Sequence, residues 1–207
     1  MLGRVIKRIV SHPWIYDQIQ LCAGARSTYK RLSSQIAAFN SVIVLDLGGG
    51  TGLYRHAWPS SCVYMCLDID KQKIERFLKK NRDCIALVAD ATSIPLQDKS
   101  IDVIVCIAVS HHLTDAAFAQ LIRESERVLK TTGTFIFIDA VLVPDRRLSK
   151  LLWKYDRGSY PRTKEQIYSL ISQQYRIVHG ERYTIFHEYI LCRGIKKVDV
   201  TTNAEQG

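Results

Sequence analysis

The stretch Val42-Ile43-Val44-Leu45-Asp46-Leu47-Gly48-Gly49-Gly50-Thr51-Gly52 constrains the fold of this chain more than any other. Four apolar residues run into an acidic one and then into glycines. Apolar character that is continuous rather than alternating marks a parallel strand buried on both faces. Gly48, Gly50 and Gly52 let the backbone turn sharply and approach a ligand closely, because no Cβ blocks the way. A nucleotide-type ligand at the carboxyl end of a first strand is the natural use of such a turn.

The glycine spacing decides among nucleotides. A dinucleotide fingerprint wants glycine at the first, third and sixth places. Counted from Gly48, the sixth place is Leu53, so a nicotinamide cofactor fits poorly. Asp-x-Gly-x-Gly-x-Gly instead resembles the first motif of the class I S-adenosylmethionine-dependent methyltransferases. The resemblance implies that Asp46 helps hold the methionine end of S-adenosylmethionine and that Gly48, Gly50 and Gly52 lie under it.

From residue 42 onward strand and helix patterns alternate, which predicts an α/β sheet with helices on both faces. A first helix is expected near Leu53, carrying Tyr54 and Arg55. A second strand, Val63–Leu67, ends in Asp68-Ile69-Asp70, and residues 71–80 read as a helix. Asp68 follows Gly48 by twenty residues, the place where a strand-tip carboxylate accepts hydrogen bonds from ribose hydroxyls. Ile69, next to it at the tip, joins the expected cofactor contacts. A third strand, Cys84–Ala89, ends in Asp90-Ala91; then come Ile94-Pro95-Leu96, Ser100-Ile101-Asp102 and a fourth strand, Val103–Ala108. This order is similar to the third and fourth segments of the same family. The resemblance implies that Asp90 reads the adenine amino group and that the Ala91 amide faces a ring nitrogen. By the same resemblance, backbone near Ile107 meets the amino-acid end.

Val109-Ser110-His111-His112-Leu113 precedes a helix predicted over residues 115–130. Histidine can give or take a proton near neutrality, so His111 and His112 are the candidate catalytic residues. The competing reading is that one shapes the pocket while its neighbour points elsewhere. No third or fourth ligand appears at useful spacing, so no metal site is expected. Residues 133–139 form a fifth strand, and Thr163 can N-cap a helix through Ile167, Leu170 and Ile171. Residues 175–183 and 187–193 read as a closing antiparallel pair, which the resemblance places at the end of a Rossmann-like, seven-stranded methyltransferase sheet.

Three segments flank or interrupt this frame. Residues 1–41 read as an N-terminal helical cap, with Leu2, Val5, Ile6, Ile9 and Val10 on one helical face and a second helix over 14–21 after His12-Pro13. A basic amphipathic helix at 1–10 is also suited to peripheral membrane contact. Residues 141–162 form a basic insert, expected to be a substrate lid within a methyltransferase domain spanning 42–195. The polar stretch 196–207 is expected to be a loose tail.

Charge adds one clue. The chain carries 29 Lys and Arg against 20 Asp and Glu, a net of +9. Residues 1–31 hold a net +5, from Arg4, Lys7, Arg8, Arg26, Lys30 and Arg31 against Asp17. Residues 145–164 hold another +5, from Arg146, Arg147, Lys150, Lys154, Arg157, Arg162 and Lys164 against Asp145 and Asp156. Such fields draw in anionic partners, though charged runs also simply face water. Six scattered cysteines, no apolar run long enough to span a bilayer and no evident secretory leader suit a reducing, cytoplasmic setting.

The functional expectation is methyl transfer to the oxygen, nitrogen or carbon of a small-molecule acceptor, anionic if the charge has a purpose. The cap and insert would cover that acceptor. Trp153, Tyr155 and Arg157 are the expected contacts to it, and Tyr16 is the expected contact to the cofactor carboxylate. Two other readings stay open. An RNA methyltransferase would use the positive charge, but no Asn/Asp-Pro-Pro-aromatic motif follows the fourth strand and no separate RNA-binding domain is evident. A non-catalytic S-adenosylmethionine-binding subunit would keep the same cofactor residues. Nothing in the sequence speaks to oligomeric state.

Overall fold

A computed structural model describes residues 13–145, 153, 160–185 and 187–197, with backbone alone for residues 13–23. The expected helix over 2–10, its membrane contact, Tyr155, Arg157 and residues 198–207 lie outside the described residues.

Seven strands form one sheet in the order β3-β2-β1-β4-β5-β7-β6. The parallel members are β1 (Ile43–Leu47), β2 (Val63–Asp68), β3 (Ile85–Val88), β4 (Ile101–Ile107) and β5 (Leu129–Val141). The antiparallel β6 (Tyr175–Thr184) and β7 (Glu188–Lys196) close it, with β7 paired to β5. The order reverses between β1 and β4. That switch point opens a crevice at the carboxyl ends of the strands, where ligands bind in sheets of this kind.

Side-chain alternation along each strand feeds two cores. Val44, Tyr64, Cys66, Val103, Val105, Ile136 and Ile138 pack under helix α1 (Pro13–Ile36), through Leu32 and Ile36, and under α2 (Lys71–Lys80), through Ile74 and Phe77. Leu45, Leu47, Ile104, Phe135 and Phe137 pack under α3 (Asp115–Val128), through Phe118, Leu121 and Ile122, and under α4 (Lys164–Ile171), through Ile167 and Ile171. Asp46 falls on the first face and Asp139 on the second, by the same alternation.

Three sequence expectations need correction. The helix after the glycine turn is only a 3-10 turn, Arg55–Ala57. Pro59 forces Trp58 into extended backbone (φ −94°, ψ 139°), and the freed Trp58 carbonyl accepts from the buried Arg55. The second cap helix does not stop at residue 21; α1 begins at Pro13, a residue suited to the first helical turn, and continues to Ile36. The fifth strand is longer than 133–139, starting at Leu129 with a register shift against β4 between Ile101 and Val103. Thr163 caps α4 as expected, in a capping box with Gln166. Among the described residues no helix is long and apolar enough to cross a membrane, and Cys62, Cys66, Cys84, Cys106 and Cys192 are free thiols.

Candidate functional site

The glycine turn is pinned to the second strand. Gly48 and Gly49 N–H both donate to the Leu67 carbonyl, at 2.7 and 3.2 Å, and Gly50 N–H donates to Asp68 Oδ2 at 3.0 Å. The glycines differ in purpose. At Gly52 (φ +77°) a Cβ would run into the Phe77 ring, so this glycine lets the turn sit on the core. At Gly50 (φ +58°) a Cβ would meet nothing closer than 3.7 Å, so the space above the turn is open. Gly52→Ala is therefore expected to cost roughly 1–3 kcal/mol more stability than Gly50→Ala, from overpacking alone. Parallel urea titrations of the two variants check the order; equal losses would contradict it. Gly49 was not singled out in the sequence, yet its Cβ would lie 2.5 Å from Asp46 Oδ2 and 2.8 Å from Cys66 Sγ.

Asp46 itself sits beneath the turn rather than at its mouth. It is buried and accepts a hydrogen bond from the Tyr64 hydroxyl. Burial, against that bond and with some help from Asp68, raises its pKa to about 7.

Asp68 is oriented before any ligand arrives. Its Oδ1 accepts from Asp70 N–H at 2.8 Å, its Oδ2 from Gly50 N–H, and Lys73 Nζ stands 3.9 Å away. Each carboxylate oxygen accepts more than one hydrogen bond, so capacity remains for a diol. Asp70 then caps α2. Between them Ile69 is 71% exposed, a large apolar side chain at the mouth of the crevice that a purine face would cover. Asp90 closes a small turn, its Oδ1 accepting from Thr92 N–H and Oγ1, both at 2.8 Å. Its Oδ2 makes no hydrogen bond among the described residues. Ala91 packs behind it against the core. Ile107 ends β4, and Ala108 turns the chain at φ +56°, a strained conformation for a residue with a Cβ. Val109 then presses on Gly48, whose Cβ would lie 2.5 Å from its Cγ2. An open glycine cradle, an aligned carboxylate, an uncovered isoleucine and an unfilled Asp90 oxygen fit an adenosine-type ligand.

Across the crevice, the two histidines lie on a 3-10 turn, Ser110–His112. His111 is buried and His112 exposed. His111 Nδ1 lies 2.7 Å from Asp139 Oδ1, and its ring is 4.1 Å from that of His112. Asp139, 1% exposed, also accepts from Ser110 N–H (2.8 Å), Ser110 Oγ (2.6 Å) and Ala140 N–H (2.8 Å). Burial alone would raise its carboxyl. The His111 charge and these hydrogen bonds outweigh burial and hold it below the ordinary carboxylate range. Sequence reasoning took Asp139 only as a strand end. The available signal was an acid directly after the apolar run Phe135–Ile138, the same pattern that marked Asp68 after Val63–Leu67.

The basic segments turn out partly structural. Arg162 is buried and donates to the Ser110 carbonyl (2.7 Å), the Leu113 carbonyl (2.6 Å) and Asp115 Oδ1 (2.7 Å), with its guanidinium over the Phe118 ring. It clamps the histidine turn. Arg31 pairs with Glu181 at 2.7 Å over the Tyr183 ring. Neither offers its charge to an acceptor. Trp153 is buried against His111 and His187. Tyr16 lies on α1, its side chain outside the described residues.

Comparison with known proteins agrees with this geometry. A family described as "Methyltransferase domain" matches residues 45–137. A tRNA (carboxymethyluridine(34)-5-O)-methyltransferase of Arabidopsis thaliana is 33% identical over 58% of this chain and 30% of its own length. A thiol S-methyltransferase of Rattus norvegicus is 28% identical over 62% of this chain and 54% of its own. The chain thus spans between about a third and a half of these relatives. Among solved structures, a protein of Pyrococcus horikoshii shares the fold at a TM-score of 0.69 and 18% identity, over 90% of this chain and 93% of its own. With the cradle, the matched family and the fold in agreement, residues 45–137 carry a methyltransferase domain of the class I, S-adenosylmethionine-dependent kind, and the residues around the cradle fit S-adenosylmethionine as its cofactor.

Proposed function

We propose that this protein methylates a small-molecule acceptor whose proton passes to His111. The observation that carries the reading is the buried Asp139–His111 pair on the turn after β4, at the same end of the sheet as the glycine cradle. S-adenosylmethionine, when bound, supplies a methyl group on a sulfonium, already a good leaving group. The residues that hold it are Gly48 and Gly50 beneath, Asp68 at the ribose hydroxyls, and Asp90 and Ala91 at the adenine, with Ile69 against its face.

What remains for the chain is alignment and proton removal. Holding two reactants in line can lower a barrier by roughly 7–11 kcal/mol. For a hydroxyl or thiol acceptor, a positioned base adds ~10²–10⁴-fold. Asp139 stays ionised and fixes the imidazole ring, so it is a positioning residue and His111 is the base. His112, exposed beside it, lines the approach.

Two tests separate the parts of this reading. Asp68→Ala is expected to weaken S-adenosylmethionine binding by about 1.5–3 kcal/mol, since a charged acceptor is lost from the ribose. Calorimetry reads this directly, and unchanged affinity would remove Asp68 from the site. For the acceptor, the protein is incubated with methyl-labelled S-adenosylmethionine and with separated small-molecule and RNA fractions of a cell extract. Label is expected among the small molecules. Label in RNA would instead favour the activity that the Arabidopsis relative's name describes.

A further inference from the structure

Trp153 belongs to the insert between β5 and α4, and it is 7% exposed. Its buried indole Nε1–H has no hydrogen-bond acceptor among the described residues. Native interiors leave few donors in that condition, because an unmade bond carries the full desolvation cost of the group. The neighbours of the indole are aromatic. The His111 ring meets it edge-on, with centroids 5.8 Å apart, and the His187 ring is tilted against it at 4.8 Å.

The position of this trio is informative. His111 follows the carboxyl end of β4. His187 immediately precedes β7, where Glu188 pairs with Val141, the last residue of β5. Both histidines therefore stand at the end of the sheet that carries the glycine cradle. A group hydrogen-bonded to the Trp153 indole would sit beside the imidazole to which the acceptor's proton was assigned above.

We propose that Trp153 recognises the acceptor, donating its Nε1–H to a carbonyl or carboxylate oxygen of a planar acceptor seated against His111 and His187. The inference rests on the proposed small-molecule methyl transfer and names the chemistry of its substrate. A donor-only indole N–H selects an acceptor atom. Flat aromatic walls select a flat group, whose faces and edges they can meet in offset or edge-on contact. A substrate lacking the oxygen leaves the N–H unmade, which is how a polar contact in an apolar slot discriminates.

The test uses the full chain with ¹⁵N in its tryptophan indoles, saturated with S-adenosylhomocysteine. The three indole signals belong to Trp14, Trp58 and Trp153, and Trp153→Phe assigns the last by removing it. Benzamide, benzoate and toluene are titrated separately into the millimolar range. Benzamide or benzoate is expected to move the Trp153 signal downfield with saturation, while toluene, similar in shape but without oxygen, leaves it in place. Trp153→Phe, which keeps an aromatic ring and deletes the N–H, is expected to weaken that probe at least tenfold and leave S-adenosylhomocysteine affinity unchanged. A stronger response to benzoate makes the natural oxygen anionic, and a stronger response to benzamide makes it neutral. No saturable shift from either oxygen probe, or an equal shift from toluene, would overturn the proposal. Failure of S-adenosylhomocysteine to bind at all would count against the methyltransferase reading instead.

Discussion

Asp139→Asn is expected to lower methyl transfer by two to four orders of magnitude and stability by about 3–5 kcal/mol. The activity loss follows from the role of the carboxylate. A base positioned for transfer contributes ~10²–10⁴-fold, and an imidazole whose Nδ1 partner is no longer anionic is neither oriented nor stabilised as a cation. The stability loss follows from burial. The carboxylate is the buried acceptor for Ser110, His111 and Ala140 at once, and each donor left without it cannot find water, at about 1–3 kcal/mol for an unmade buried bond. Asparagine keeps the volume but presents an NH2 where one carboxylate oxygen stood. One side of Asp139 faces Ser110 N–H and Oγ, and the other faces His111 and Ala140 N–H, so donors confront donors either way.

The pH dependence has a definite sign. The Asp139 carboxyl is held below its usual 3.8 by His111 and these hydrogen bonds, against its burial. Its contribution is therefore full above about pH 4 and is lost only as pH falls through the lowered native value. Urea titrations of wild type and variant should differ most at neutral pH and converge in strong acid. A difference below about 1 kcal/mol at pH 7 would show that the pair does not hold the turn.

The contrast between Asp68 and Asp139 shows where legibility ended. Both follow an apolar run in their strand, and both are buried. Asp68 was readable because the glycines that it serves lie in fixed order upstream and a single donor, Gly50 N–H, ties it to them. Asp139 depends on a turn 28 residues earlier, brought alongside by the pairing of β4 with β5. Strand pairing is not encoded in any local pattern. Arg162 was misread for the same reason: it entered a charge count, and only the assembled fold supplies the carbonyls of Ser110 and Leu113 that bury it. The short 3-10 turn at Arg55–Ala57 was a different kind of miss, since Pro59 was visible and its effect on the preceding residue is local. The order of elements, the N-cap at Thr163 and the strand tips at Asp68 and Asp90 are all local features, and the fold bears them out.

Asp46→Asn is expected to make the protein more stable above pH 7, by up to roughly 4 kcal/mol. Asp46 is 4% exposed, and among the described residues no lysine or arginine pairs with it. Its partner is the Tyr64 hydroxyl; Arg55 lies over the ring of that tyrosine, 5.3 Å from its centroid, and Asp68 adds like charge. Burial raises the carboxyl from 3.8 to about 7, so the folded state holds this proton more tightly than the unfolded state does. Stability from the protonated form is full below about pH 4, declines as pH rises toward 7, and is absent above it. Three pKa units at about 1.36 kcal/mol each give the upper figure. Asparagine is neutral at every pH, and its carbonyl can still accept from Tyr64. The gain should fade to nothing near pH 4, which unfolding curves at pH 4 and pH 8 would read; a variant less stable at pH 8 would refute it. A residue that weakens its own fold at working pH is retained for what it binds. An anionic carboxylate under the glycine turn would attract the cationic methionine end of S-adenosylmethionine. The same variant should therefore bind S-adenosylmethionine more weakly at pH 8, and lose less affinity for the demethylated product, whose sulfur is uncharged. Equal losses for the two ligands would mean that Asp46 shapes the turn without sensing the sulfonium.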